Sequence, residues 1–229
     1  MNHRKRGTMG GSRLALYIAP LLAGIMMLSG CARTATVIQI VGAQATLDIT
    51  LKGTVDPGQN RYYIVFGTSS PRTPTPGDYF FAPGEPFDQN RFRTGDSLAS
   101  YYSTYFSTWM DFIKLENGNF FTLTKGPFTK SASHESFSTR REFLSSRFVS
   151  NSSDAQKLHL NFFFSRLTAE PATLFFNVLA VDSQGILRDR FDFLDTNFQT
   201  ASGTRLSGTD IESDADPALD IRSWSIEVQ

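Results

Sequence analysis

Few residues of this chain combine a reactive group with a telling context. Cys31 is the sole cysteine among 229 residues, and it directly follows Leu28-Ser29-Gly30. A thiol there can be thioether-linked to a lipid, and Ser29 and Gly30 are the small residues that a signal peptidase requires beside a scissile bond. Ser97, in Gly95-Asp96-Ser97-Leu98, offers a hydroxyl nucleophile. It would need a base, and beyond Cys31 only His134 and His159 could serve. The stretch 209–220, TDIESDADPALD, carries Asp210, Glu212, Asp214, Asp216 and Asp220, oxygen ligands of the kind calcium takes. Tyr101, Tyr105 and Trp109 recur every fourth residue with Ser103 and Ser107 between them, flat rings interleaved with small hydroxyls.

The cysteine is explained by what precedes it. Arg4, Lys5, Arg6 and Arg13 make a basic start, and no acid occurs before Asp48. An apolar run follows from Leu14 to Leu28. Rising about 1.5 Å per residue it covers roughly 22 Å, short of the ~30 Å hydrocarbon core, and so reads as the h-region of a signal peptide. Leu28-Ser29-Gly30-Cys31 resembles the lipobox of bacterial lipoproteins: Leu, a small residue, Gly or Ala, then the acylated Cys. The resemblance covers about 31 residues without departure from the pattern. It implies removal of residues 1–30, lipid on Cys31 and attachment to a cell membrane or outer membrane, facing periplasm or exterior. Because each buried CH₂ contributes about 0.8 kcal/mol, two or more acyl chains are needed for stable anchoring, the number lipoproteins carry. Ala32, where Asp would retain the protein at the inner membrane, favours the outer one.

Loss of the leader removes four of the 22 cations against an unchanged 22 acids, so the body is mildly acidic. Such a surface gives no electrostatic reason to expect a nucleic-acid partner. With no cysteine after Cys31 an internal disulfide is impossible, and stability must come from a packed core. All 21 Phe and both Trp lie in this part, a composition that favours strands.

The elements expected to position these groups follow from periodicity. Residues 44–52, QATLDITLK, alternate Leu47, Ile49 and Leu51 with polar side chains, the mark of a half-buried strand. The turn residues 55–60, VDPGQN, lead to a second strand at 61–67, expected to pair with the first as a hairpin. Residues 68–98 hold half of the ten prolines together with Tyr79, Phe80, Phe81 and Phe87. They read as a long loop, either a cover over one open end of the sheet or a ligand-contacting segment. Residues 101–115 read as a long strand, turned back by Asn117-Gly118 onto FFTLT. In that strand Tyr102, Phe106, Met110 and Phe112 share the inward parity, leaving Tyr101, Tyr105 and Trp109 outward about 13 Å apart, either a platform for sugar rings or packing beneath the proline-rich loop. Residues 137–148 fit helix or strand. Two clear strands begin at Lys157 and Ala172, the first burying Leu158, Leu160, Phe162 and Phe164 and turning His159 outward, the second apolar on both faces. Further strands are expected at 185–193 and near 220–228, the latter with Trp224, Ile226 and Val228 inward.

Eight to ten short strands with almost no helix predict an all-β domain, a single antiparallel β-sandwich of jelly-roll or immunoglobulin-like type over residues 44–229, tethered through 31–43. Over about 35 residues, LNFFFSRL…LFFNVLAVD resembles carbohydrate-binding and DOMON-type sandwich modules. That likeness implies a fold and carries no binding residues. Gly95-Asp96-Ser97-Leu98 spells the nucleophile block of GDSL hydrolases, yet it follows a polar stretch rather than opening an α/β fold, and neither His134 nor His159 has the Asp three residues before it that supplies the family's base. Two histidines and no spare thiol make zinc or copper improbable, and the acidic stretch lacks an EF-hand's glycine and closing glutamate. No cofactor is expected. The function read from the sequence is a non-enzymatic, lipid-anchored envelope domain that binds a glycan, small ligand or protein partner or has a structural role; the alternative is an envelope hydrolase of polysaccharide or ester substrates.

Overall fold

The computed structural model describes residues 42–91, 97–117, 120–130, 135–144, 155–191, 196–210 and 216–229. Strands β1 (Gln44–Leu51) and β2 (Arg61–Gly67) precede a long connection. The connection ends in a helix, α1 (Leu98–Thr104), and a 3₁₀ turn (Phe106–Thr108). Then come β3 (Asp111–Glu116), β4 (Phe120–Lys130), β5 (Glu135–Leu144), β6 (Lys157–Phe163), β7 (Thr173–Val181), β8 (Leu187–Arg190), β9 (Asn197–Gln199), β10 (Arg205–Thr209) and β11 (Ile221–Val228). One sheet has the order β10-β11-β1-β6; the other runs β5-β4-β3-β2-β7-β8, with β9 also on β7. All pairings are antiparallel, and the molecule is an all-β sandwich.

The alternation in β1 holds: Ala45, Leu47, Ile49 and Leu51 are buried, as are Leu158, Leu160, Phe162 and Phe164 from β6 and the turn after it. They meet Tyr62, Ile64 and Phe66 of β2, Ile113 and Leu115 of β3, and Leu174, Phe176 and Val178 of β7 in one core between the sheets. Phe66 lies 5.3 Å from Phe162 across the gap, and Phe176 lies 5.2 Å from Trp224, edge to face. The strands expected near the C-terminus form, with Ile226 and Val228 buried and Trp224 packed on the core. Of the ambiguous stretch 137–148, the part through Leu144 is strand; the remainder falls outside the described residues.

Three expectations are corrected. First, β1 and β2 are not a hairpin. β1 pairs with β6 and β11, β2 with β3 and β7, and the 55–60 turn carries the chain from one sheet to the other. Asp56 Oδ1 accepts the N–H groups of Gly58 and Gln59, and the Tyr62 hydroxyl accepts the Asp56 N–H while donating to Ala218 O, pinning that crossing to the last strand's approach. Second, the proline-rich connection covers a face, not an open end. Phe80, Phe81 and Ala82 lie with Tyr101, Tyr102, Phe106 and Trp109 on Tyr63, Val65, Phe112, Leu179 and Val181, the outward parity of the seven-stranded sheet. That sheet is therefore buried on both sides, which is why β2 and β7 are apolar at both parities.

Third, residues 101–110 are not strand. Ser97 caps α1: its Oγ accepts the Ser100 N–H at 3.1 Å while the Ser100 hydroxyl receives the Ser97 N–H at 3.1 Å. A spacing of four satisfies both strand parity and a helical turn, so Tyr101/Tyr105 and Tyr102/Phe106 become i,i+4 neighbours with rings 4.8 Å apart. The strand begins only at Asp111.

Candidate functional site

Cys31 lies outside the described residues, as do Gly95, Asp96, His134, Glu212 and Asp214. Ser97 is spent on the helix cap, on the layer outside the seven-stranded sheet, whereas His159 belongs to the four-stranded sheet. The two are not brought together. Tyr101 and Trp109 do not form an outward aromatic face: they are 7% and 3% exposed, and Tyr105 is half-buried. Tyr101 stacks on Phe81 at 4.8 Å, and the Trp109 indole N–H donates to Arg72 O at 2.8 Å. Their rings fasten the covering layer to the sheet. Asp210 sits beside β10, its N–H bonded to Arg222 O, and Asp216 Oδ1 accepts the Ala218 N–H. Among the described residues no three His, Cys, Asp or Glu side chains are placed to hold a metal ion.

What the fold does assemble is the outer face of the four-stranded sheet. Registers set its side chains in three rows: Asn161–Thr46–Glu227–Arg205, His159–Asp48–Ser225–Ser207, and Lys157–Thr50–Ser223–Thr209. Every position in these rows is polar or charged, and the pair Gln44–Phe163 at the end of the sheet adds one half-buried ring. On one side a relay of hydrogen bonds runs through the side chains. The Thr46 hydroxyl donates to Asn161 Oδ1 at 2.6 Å, the Asn161 amide to His159 Nε2 at 3.2 Å, and His159 Nδ1 to Asp48 Oδ1 at 2.6 Å. An amide donor on Nε2 leaves the imidazole proton on Nδ1. Lys157 Nζ adds a contact to Asp48 Oδ2 at 3.5 Å. Beyond Asp48, two shallow grooves of about 550 and 420 Å³ run along the serine and threonine rows of β10 and β11. In the middle row the carboxylate of Asp48 stands between Ser225 and His159. A serine relay needs the imidazole in the middle; here the carboxylate holds that place.

A second concavity, of about 750 Å³, opens at the end of the sandwich opposite Gln44, between the 53–60 turn, the 182–184 turn and Asp216–Ala218. Its carboxylates are largely engaged. Asp182 Oδ1 accepts from Gln184 and Ile186 and Oδ2 from Arg188 Nε; burial raises its carboxyl, but these donors outweigh it and hold the group below the usual range.

Two carboxylates, one half-buried and one buried, support the layers. Glu85, in the proline-rich connection, is 10% exposed and receives Lys114 Nζ at 2.6 Å, Arg61 Nη1 at 3.1 Å, the Tyr63 hydroxyl at 2.8 Å and the Ala82 N–H at 3.0 Å. Burial pushes its carboxyl up, and Lys114, the Ala82 amide and Arg61 together pull it below the ordinary value. The Tyr63 hydroxyl, fully enclosed beside that carboxylate, is pushed well above the tyrosine range. Asp111, fully buried, accepts from Gly126 N, Thr168 N and the Thr168 hydroxyl, tying β3 to β4 and to the segment entering β7. Burial raises its carboxyl despite these bonds.

The relay was half visible in sequence, since Thr46, Asp48, His159 and Asn161 fall on outward parities. Its closure required the β1–β6 register, which no local pattern encodes. Glu85 gave only a faint signal, an acid among prolines and aromatics in 82–87. No protein-family model, curated protein or solved structure matches this chain.

Proposed function

We propose that the chain is a lipid-anchored lipoprotein of the bacterial cell envelope whose β-sandwich is a non-enzymatic binding domain. The observation that carries this reading is Leu28-Ser29-Gly30-Cys31 at the end of a basic and then apolar leader. The described domain is consistent with it: β1 begins at Gln44, so the twelve residues 32–43 could span up to about 40 Å when extended, enough to hold a domain clear of a lipid surface. The recognition surface is the polar outer face of the four-stranded sheet, with the Asp48–His159–Asn161–Thr46 relay fixing donors and acceptors for a glycan, small ligand or protein in the envelope. Membrane attachment through lipid on Cys31 keeps that face near its partner.

The test is metabolic labelling. Cells expressing the wild type should incorporate labelled fatty acid into a processed chain beginning at Cys31, and Cys31→Ser should give an unprocessed, unlabelled precursor. Equal labelling of the variant would contradict the anchor. Retention on envelope polysaccharide, compared between wild type and Asp48→Ala, reads the proposed face separately from the anchor.

A further inference from the structure

We infer that β10 is a self-pairing edge, through which two copies of this domain join their four-stranded sheets into one continuous sheet across a two-fold axis at Ser207. Among the described residues β10 ends its sheet, paired with β11 alone, and its residues are exposed apart from the half-buried Gly208. The ladder fixes which backbone groups remain open. Val228 N–H bonds to Thr204 O and Asp210 N–H to Arg222 O, so even-numbered positions of β10 face β11. The N–H and C=O groups of Arg205, Ser207 and Thr209 therefore point away from the sheet. Neither proline nor lysine protects this edge.

The side chains make the edge complementary to itself. Antiparallel pairing about Ser207 sets Ser207 against Ser207 and Arg205 against Thr209 of the second copy, and all three open positions bond, giving about six backbone hydrogen bonds. No like charges meet, because each Arg205 faces a threonine while remaining paired with its own Glu227. Between these pairs, where opposing side chains approach most closely, Leu206 falls on Gly208 of the second copy. Leu206 is 43% exposed although its parity is that of the core residue Ile226 opposite it. Gly208 is where the Trp224 indole crosses the strand: a Cβ there would stand 2.6 Å from Trp224 Nε1, so the ring takes the place a side chain would fill. The uncovered leucine of one copy thus packs on the half-buried tryptophan of the other. An axis at the neighbouring positions Leu206 or Gly208 would leave Thr209 or Arg205 unpaired and lose this fit.

Residues Val41–Gln229 form a compact unit holding both sheets and the core, and they are the piece to test. Pairing along one short strand lies at the small end of specific interfaces, so sedimentation equilibrium over about 1 µM to 1 mM should show the mass rising from one copy towards two. Ser207→Pro removes an N–H that points outward and spares the β10–β11 ladder; Leu206→Glu replaces the apolar contact with a charge. Each should weaken association at least about tenfold, with Ser207→Pro leaving the thermal midpoint unchanged. A wild type that stays at the mass of one copy throughout overturns the inference, as does association undiminished in both variants.

Discussion

The two outer surfaces of the sandwich began with the same grammar and ended as opposites. On the four-stranded sheet the outward parity of β1 is Thr46, Asp48 and Thr50, and it stays in water. On the seven-stranded sheet the outward parity of β2 is Tyr63 and Val65, and the chain lays a third layer of proline-rich connection, helix and 3₁₀ turn over it. Strands apolar at both parities cannot face solvent, so a sheet containing them obliges some other segment to bury its aromatic residues there. Among the described residues one surface is left to solvent and the other is consumed by packing.

The sharpest way to break this contrast is to remove an anchor of the covered side. Trp109→Ala deletes a buried indole that touches Phe80, Phe106, Phe112 and Phe128, and should cost about 3 to 5 kcal/mol in denaturant unfolding. Phe162→Ala, in the core between the sheets, should fall in the same range of about 3 to 5 kcal/mol. An unchanged midpoint for either would refute the packing assigned to it.

Glu85→Gln strips the counter-charge from Lys114 and Arg61 beneath the covering layer, and a loss of about 2 to 4 kcal/mol is expected at neutral pH. The effect should depend on pH with a definite sign. The folded-state value of Glu85 is lowered from 4.5, so its contribution is present above that value and is lost as pH falls through the lower folded value. The stability difference between wild type and Glu85→Gln should therefore shrink below about pH 4.5. Taking the difference cancels Asp111, whose raised value acts oppositely, favouring the fold at low pH and losing that contribution as pH rises through it. A difference that grew on acidification would contradict the ion cluster. On the open side the effects should be smallest: His159→Ala breaks a solvated contact to Asp48 and should change stability by no more than about 1 kcal/mol.

The same contrast explains how much the sequence disclosed. Alternation in β1 and β6 specified strand, face and core together, because one face of each is polar and period two admits no other reading. Residues 101–109 failed that method. Aromatic residues four apart fit two periods at once, and the arbitrating signal was not an apolar residue but Ser97 with Ser100, a cap of unusual composition. The sheet assignment of β2 was hidden for a different reason: a turn such as 55–60 shows that the chain reverses, not whether it returns to the same sheet. The Asp48–His159 contact joins residues 111 positions apart and became visible only once β6 was set beside β1.

The contrast between the covered and open faces is tested most directly by hydroxyl-radical footprinting of the full chain. The account predicts slow modification of Tyr101, Phe81 and Trp109, with His159 on the open sheet and exposed Phe120 modified at least several-fold faster relative to their intrinsic reactivities. Modification of Trp109 as fast as that of Phe120 would contradict it, showing that the aromatic face lies open and that recognition must be sought there instead.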